Sequence, residues 1–231
     1  MPEAALMGVR SATAAVAAPV ATPDPAPNAR SPRGAGATAC HVERLVDLVS
    51  IFEPQVQLLV HARTLGPEIT TYLDDLTISA VGFRGFRQVV NVATGLSGRY
   101  LPEAAHVDAL HRDIGQLVEL YADLLGCTQI GLRLEGLQRT MCPGWHCDRT
   151  GIRLLCTYRG PGTEWLDGTG IDRTTLPGRV ADRPPDGSAS AGDIVLLKGS
   201  LWQGNAGCGA IHRSPAPGQG TRWLLALDAI W

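Results

Sequence analysis

The sequence predicts an α+β protein in which helices come first and a β-sandwich or barrel follows. Three observations carry this expectation. Apolar residues recur at helical spacing as far as Leu125. Beyond Gly126 the period shortens towards two, and Gly and Pro punctuate short segments. The chain has 231 residues, of which 45% are hydrophobic, with 27 Gly and 16 Pro, enough for one sizeable core joined by many turns.

Residues 1–38 are dominated by Ala, Pro, Gly and Ser and cannot bury enough apolar surface to offset the entropy of ordering. They are expected to form a disordered tail ahead of a single domain, 39–231, divided into a mainly helical part, 39–126, and a β part, 127–231. Val42, Leu45, Val46, Leu48 and Val49 follow helical spacing, and a second helix is expected after Pro67. The third, Pro102 to Leu125, carries a stripe through Leu110, Ile114, Leu117, Leu120, Tyr121 and Leu124, with Gly126 just past its end. Strands are expected over Thr128–Leu137, Gly151–Tyr158, Asp193–Leu197 and Arg222–Ile230. Between them, Asp167 to Ala191 is polar and turn-rich, a surface excursion or a lid.

A formal net charge of −2 gives no field that would gather nucleic acid or an anionic membrane, so neither is expected as a partner. No run of about eighteen apolar residues is present to span a bilayer. The apolar stretch 11–22 is interrupted by Pro19 and preceded by Glu3 and a single Arg10, which is not the basic start of an export signal. A cytoplasmic location follows as the expectation, with Cys40, Cys127, Cys142, Cys147, Cys156 and Cys208 as reduced thiols or metal ligands.

Three H-x-D triplets occur. His106-Val-Asp108 and His111-Arg-Asp113 fall in the expected third helix, where residues two apart point roughly 200° away from each other. They read as solvated helix-face charges. The second also opens like a kinase catalytic loop, but Val118 stands where that loop needs asparagine. His146-Cys-Asp148 differs, because Pro143 and Gly144 precede it and a β segment follows. In extended backbone, residues two apart share a side, so both can reach one metal. His212 is the other histidine of the β-rich half. Two imidazoles and a carboxylate form the facial set that leaves positions open on Fe(II).

Arg222 opens the last expected strand, ten residues beyond His212, where its guanidinium could grip the far carboxylate of a metal-chelating 2-oxo diacid. Arg213 and Arg153 compete for that role. Tyr158 could add a hydroxyl to the same pocket, or be a core tyrosine. Glu164 reads as part of a turn or as an acid or substrate contact, and an inward Asp228 would need a partner.

The ordered set His146-Cys-Asp148, His212 and Arg222, with the Gly192-Asp-Ile-Val-Leu-Leu strand between, resembles the 2-oxoglutarate and Fe(II)-dependent oxygenases over residues 128–231. The resemblance implies N-terminal helices packed on a double-stranded β-helix, a jelly-roll or cupin-like core. It implies Fe(II) held by His146, Asp148 and His212 and 2-oxoglutarate anchored by Arg222. Oxidative decarboxylation to succinate and carbon dioxide would drive hydroxylation of an unidentified small-molecule or protein substrate. Arg213-Ser214-Pro215 stands where those enzymes carry an apolar segment.

At closer range, Trp145-His-Cys-Asp148, Leu154 to Leu166, Gly192 to Gly199 and His212-Arg-Ser-Pro215 resemble a bacterial family known as domain of unknown function 1826. That resemblance implies a part in bacterial metal, particularly zinc, homeostasis. It gives the thiols a second reading. Cys142-x-x-x-His146 and Cys208-x-x-x-His212 repeat one spacing and together offer zinc four nitrogen and sulfur ligands. This alternative leaves Asp148 and Arg222 unused.

Overall fold

The structure, a computed structural model, describes residues 38–79, 82–96, 100–216, 218 and 220–231. The expected tail lies outside the described residues except for Thr38, which opens strand β1 (Thr38–Val42). The part expected to be helical contains two α-helices, α1 (Pro67–Ser79) and α2 (Val107–Leu125), and a 3-10 helix at Leu45–Phe52. Helix α2 buries Leu110, Ile114, Leu117 and Tyr121 along its apolar stripe. It ends at Gly126, whose positive φ of 67° lets its N–H close on the Ala122 carbonyl. The same part also holds β1, β2 (Val56–His61) and β3 (Gly85–Asn91), none of which the periodicity announced. The reason is clearest in β2, where five consecutive residues are buried, so no alternation marks it as a strand.

The expected strands appear as β4 (Gln129–Leu137), β5 (Ile152–Arg159), β8 (Ile194–Lys198) and β10 (Arg222–Ile230). They join the first three in one sheet ordered β1-β2-β8-β5-β10-β4-β3, antiparallel except for the β1/β2 pair. Strand alternation then assigns each residue a face. Ile152, Leu154, Cys156 and Tyr158 of β5 share a core with Trp223, Leu225 and Leu227 of β10 and with the buried residues of both helices. The buried Tyr121 hydroxyl crosses that boundary, donating to the Ile152 carbonyl at 2.5 Å and accepting from the Ala229 N–H at 3.0 Å.

Leu155, Leu224, Ala226, Val195 and Leu197 face the other way and pack with Trp165 of a second sheet. That sheet is β7-β6-β9, from β6 (Glu164–Leu166), β7 (Gly187–Ser188) and β9 (Ile211–Arg213). The Asp167–Ala191 excursion is anchored to it. Ile171, Leu176 and Val180 pack on Trp145, Leu166 and Ile211, and the Trp145 indole donates to the Arg183 carbonyl at 3.2 Å. The excursion thereby braces the wall from which His146 and His212 project. Among the described residues no helix is long and apolar enough to cross a membrane.

Trp165 lies opposite both His212 and Gly187, and a Cβ on Gly187 would come within 2.4 Å of its indole. Gly187→Ala is therefore expected to destabilise the protein by about 1–3 kcal/mol, the usual cost of overpacking. Thermal unfolding of the metal-free variant checks this, and an unchanged midpoint would count against it.

Candidate metal centre

His146 and His212 are brought together by backbone pairing. Each donates its N–H to the other's carbonyl at 3.0 Å, so the two residues form an isolated antiparallel bridge beside β9. Directly opposed residues project to one face, and the two rings lie 4.4 Å apart. Asp148 follows two residues after His146. Its Oδ1 is 3.7 Å from His146 Nε2 and its Oδ2 is 3.6 Å from His212 Nε2. Among the described residues this is the only group of three or more potential ligand atoms within 4.8 Å of one another.

The hydrogen bonds on the far side of each ring define the donor set. His146 Nδ1 lies 2.9 Å from the Gly144 carbonyl and His212 Nδ1 3.0 Å from that of Ala210. A carbonyl can only accept, so each Nδ1 carries a proton and each Nε2 is the ring nitrogen turned towards Asp148. Burial pulls His212 down to about 4, which keeps that imidazole neutral near pH 7. Two imidazole Nε2 atoms and a carboxyl group thus converge within 4.8 Å of one another. This chemistry fits a divalent cation, and the two-histidine, one-carboxylate set suits Fe(II) with open positions.

The three competing arginines separate by their partners. Arg213 donates to Glu164 at 2.6 Å and stacks 4.1 Å over the Trp145 ring, which also accounts for Glu164. Arg153 donates to both oxygens of Asp228, at 2.7 and 2.9 Å, and to Asp148 Oδ2 at 2.6 Å. Arg222 has no acidic partner among the described residues. It is buried, with Nε donating to the Pro161 carbonyl at 2.8 Å and Nη2 to the Thr157 hydroxyl at 3.1 Å. Burial, unopposed by any carboxylate, pulls it down to about 10. Arg222 shares with the His146, Asp148 and His212 triad a cleft of about 110 Å³.

Some expected residues lie elsewhere. Tyr158 does not face the cleft. Its side chain lies on the helix side of β5 and its hydroxyl donates to Asp113 Oδ2 at 2.5 Å, while neighbouring Thr157 bonds to Arg222. Strand alternation is the reason, because a shift of one residue exchanges the faces. Asp113 is likewise no solvated helix charge: it pairs with Arg63 at 2.6 Å, and its side chain is 12% exposed. His106 caps α2 rather than lying within it. Cys142 is exposed at the cleft wall and Cys208 does not line the cleft, so neither thiol joins the donor set. The zinc arrangement is not assembled among the described residues. The sequence reading overlooked Thr157 as an Arg222 partner and the link from Arg153 to Asp148 and Asp228. Alternation with Leu155 on β5 was the available signal for both.

The site lies in a mixed α/β fold built on a large sheet, and that fold is similar to the 2-oxoglutarate oxygenases. Over 84% of this chain and 83% of the other, the structure resembles a dioxygenase for auxin oxidation from rice, with a TM-score of 0.50 at 11% identity. The 2-oxoglutarate complex of a dioxygenase for auxin oxidation from Arabidopsis thaliana aligns over 84% of this chain and 92% of its own, at 10% identity and a TM-score of 0.48. A Pseudomonas putida prolyl-4-hydroxylase aligns over 81% of this chain and 100% of its own, at 11% identity and a TM-score of 0.45. No curated protein matches the sequence. The chain belongs to the family described as protein of unknown function (DUF1826), whose profile matches residues 43–228.

Proposed function

We propose that this protein is a 2-oxoglutarate- and Fe(II)-dependent oxygenase that hydroxylates a small-molecule or protein substrate. The observation that carries the reading is Arg222, a buried guanidinium with no counter-ion among the described residues, in the same cleft as a converging His-Asp-His donor set. Burying a charge without a partner is costly, so such a group is best explained by an anion that arrives in the cleft. 2-Oxoglutarate supplies a carboxylate for the arginine at one end and a chelating 2-oxo acid at the other.

In this reading His146 and His212 offer neutral lone pairs, and Asp148 supplies the charge that retains a dication. The Pro161 carbonyl and Thr157 hydroxyl occupy two donors of Arg222 and orient its plane, leaving its other N–H groups for a carboxylate. Bound Fe(II) would supply dioxygen activation coupled to decarboxylation of 2-oxoglutarate, leaving succinate and carbon dioxide. Leu155, Leu224 and Ala226 line the cleft floor with apolar surface, which limits water around these charges.

Anaerobic Fe(II) titration of the metal-stripped protein, with and without 2-oxoglutarate and followed in the visible spectrum, tests the reading. A weak charge-transfer band should appear only when both are present. Metal binding without that band would overturn the oxygenase assignment.

A further inference from the structure

We infer that Arg153 is a positioning residue for the metal ligand Asp148, and that Asp228 is the counter-charge that lets it act. The inference rests on the His146, Asp148 and His212 metal site of the proposed function. It assigns work to the ion cluster of Asp148, Arg153 and Asp228, whose two latter members that function leaves unused.

Arg153 on β5 lies directly opposite Asp228 on β10. Its Nε and Nη2 form a fork on the two Asp228 oxygens, at 2.7 and 2.9 Å. A two-point fork fixes the plane of the guanidinium, so the direction of the third nitrogen is fixed as well. That nitrogen, Nη1, reaches Asp148 Oδ2 at 2.6 Å. Among the described residues Asp148 Oδ1 accepts no hydrogen bond, and it is the oxygen 3.7 Å from His146 Nε2. The Asp148 carboxylate is thus held at Oδ2, the oxygen 3.6 Å from His212 Nε2, while Oδ1 towards His146 is left without a hydrogen bond, an arrangement that restrains rotation of the carboxylate.

Charge explains why the cluster needs its third member. A lone guanidinium on a ligand carboxylate would cancel its charge and repel an incoming dication. With Asp228 present, Asp148, Arg153 and Asp228 sum to one negative charge, and Asp228 thus offsets the guanidinium that touches Asp148 even though Arg133 adds a positive charge on its far side. The Arg153 and Asp148 side chains are only 17% and 14% exposed, so solvent screens these interactions weakly. Arg133, 3.7 Å from Asp228, leaves the Arg153 fork intact.

A double-mutant cycle on the full chain tests the inference, with Co(II) alone as the probe and calorimetric affinity as the readout. Arg153→Gln should weaken Co(II) binding about tenfold or more, as loss of an outer-shell partner generally does. In an Asp148→Ala background the same change should alter affinity by less than about twofold, because the effect acts through that carboxylate. Asp228→Asn should weaken binding in the same direction. It also serves as the second variant if Arg153→Gln does not fold.

Unchanged or tighter Co(II) binding by Arg153→Gln would overturn the inference, as would an equal loss in both backgrounds. Loss of thermal stability with intact affinity would make Arg153 structural and overturn it too. Adding 2-oxoglutarate to the Co(II)-loaded unaltered protein reads the oxygenase proposal separately. Failure of that step leaves the Co(II) cycle decisive for Arg153.

Discussion

Arg222→Gln is expected to weaken 2-oxoglutarate binding by at least roughly 30-fold while leaving metal affinity within about threefold. Truncating one partner of a buried, hydrogen-bonded charge pair costs about 2–5 kcal/mol, and the lower bound corresponds to that factor. Metal affinity is spared because Arg222 contacts Pro161 and Thr157 and none of the three ligands. The variant keeps a polar side chain but removes the uncompensated buried charge, so the ligand-free protein should melt no lower than the unaltered one. Calorimetry with 2-oxoglutarate on Co(II)-loaded protein, together with thermal unfolding, reads both outcomes. Unchanged 2-oxoglutarate affinity, or a large loss of stability, would make Arg222 a structural residue.

Asp113→Ala should have the largest effect on stability, a loss of about 3 kcal/mol or more. Its carboxylate accepts from Arg63 at 2.6 and 2.9 Å and from the Tyr158 hydroxyl at 2.5 Å. Burial pulls the Arg63 guanidinium down, but the hydrogen bonds and charge of Asp113 hold it above its ordinary value. Burial also raises Tyr158 well above 10, so its hydroxyl remains a neutral donor. Removing the carboxylate strands a cation and a hydroxyl in the interior, and breaking a mostly buried pair from one side costs about 3–5 kcal/mol. The cluster ties α2 to β5, and through the 2.6 Å Arg63 bond to the Gly192 carbonyl it reaches the turn before β8. Urea unfolding of the metal-free protein measures the loss. A change below about 1 kcal/mol would show that the cluster contributes little.

The sequence marked α2 by a one-sided pattern, and β8, buried throughout, by an apolar run bordered by a turn. Helix α2 has an apolar stripe and a glycine stop, and β5 and β10 are long enough for their periods and bordering turns to be seen. Strand β2, buried on both faces as β8 is, has no alternation to separate it from the helical spacing just before it, and the Val42–Val49 spacing marked a 3-10 helix flanked by strands rather than an α-helix. At the site, order and residue type singled out His146, Asp148 and His212, which the fold brings together, and Arg222, which lines the same cleft. Tyr158 was open between pocket and core, since period two decides a face only when the register is known, and it lies in the core with its hydroxyl on Asp113.

The sequence by itself determined the donor types and their local geometry. His146 and Asp148 share a side because extended backbone repeats every two residues, and a second imidazole and an arginine follow in order. Only the tertiary structure decided which arginine lacks a counter-ion, because the partners of the others lie far along the chain, 49 residues away for Arg213 and 75 for the Arg153–Asp228 pair. Strand pairing sets such neighbours. It also sets the opposition of His146 and His212, which depends on which backbone groups close the bridge beside β9. Residue chemistry is local and can be read from the chain, whereas charge compensation and facing depend on register, which only the assembled sheets define.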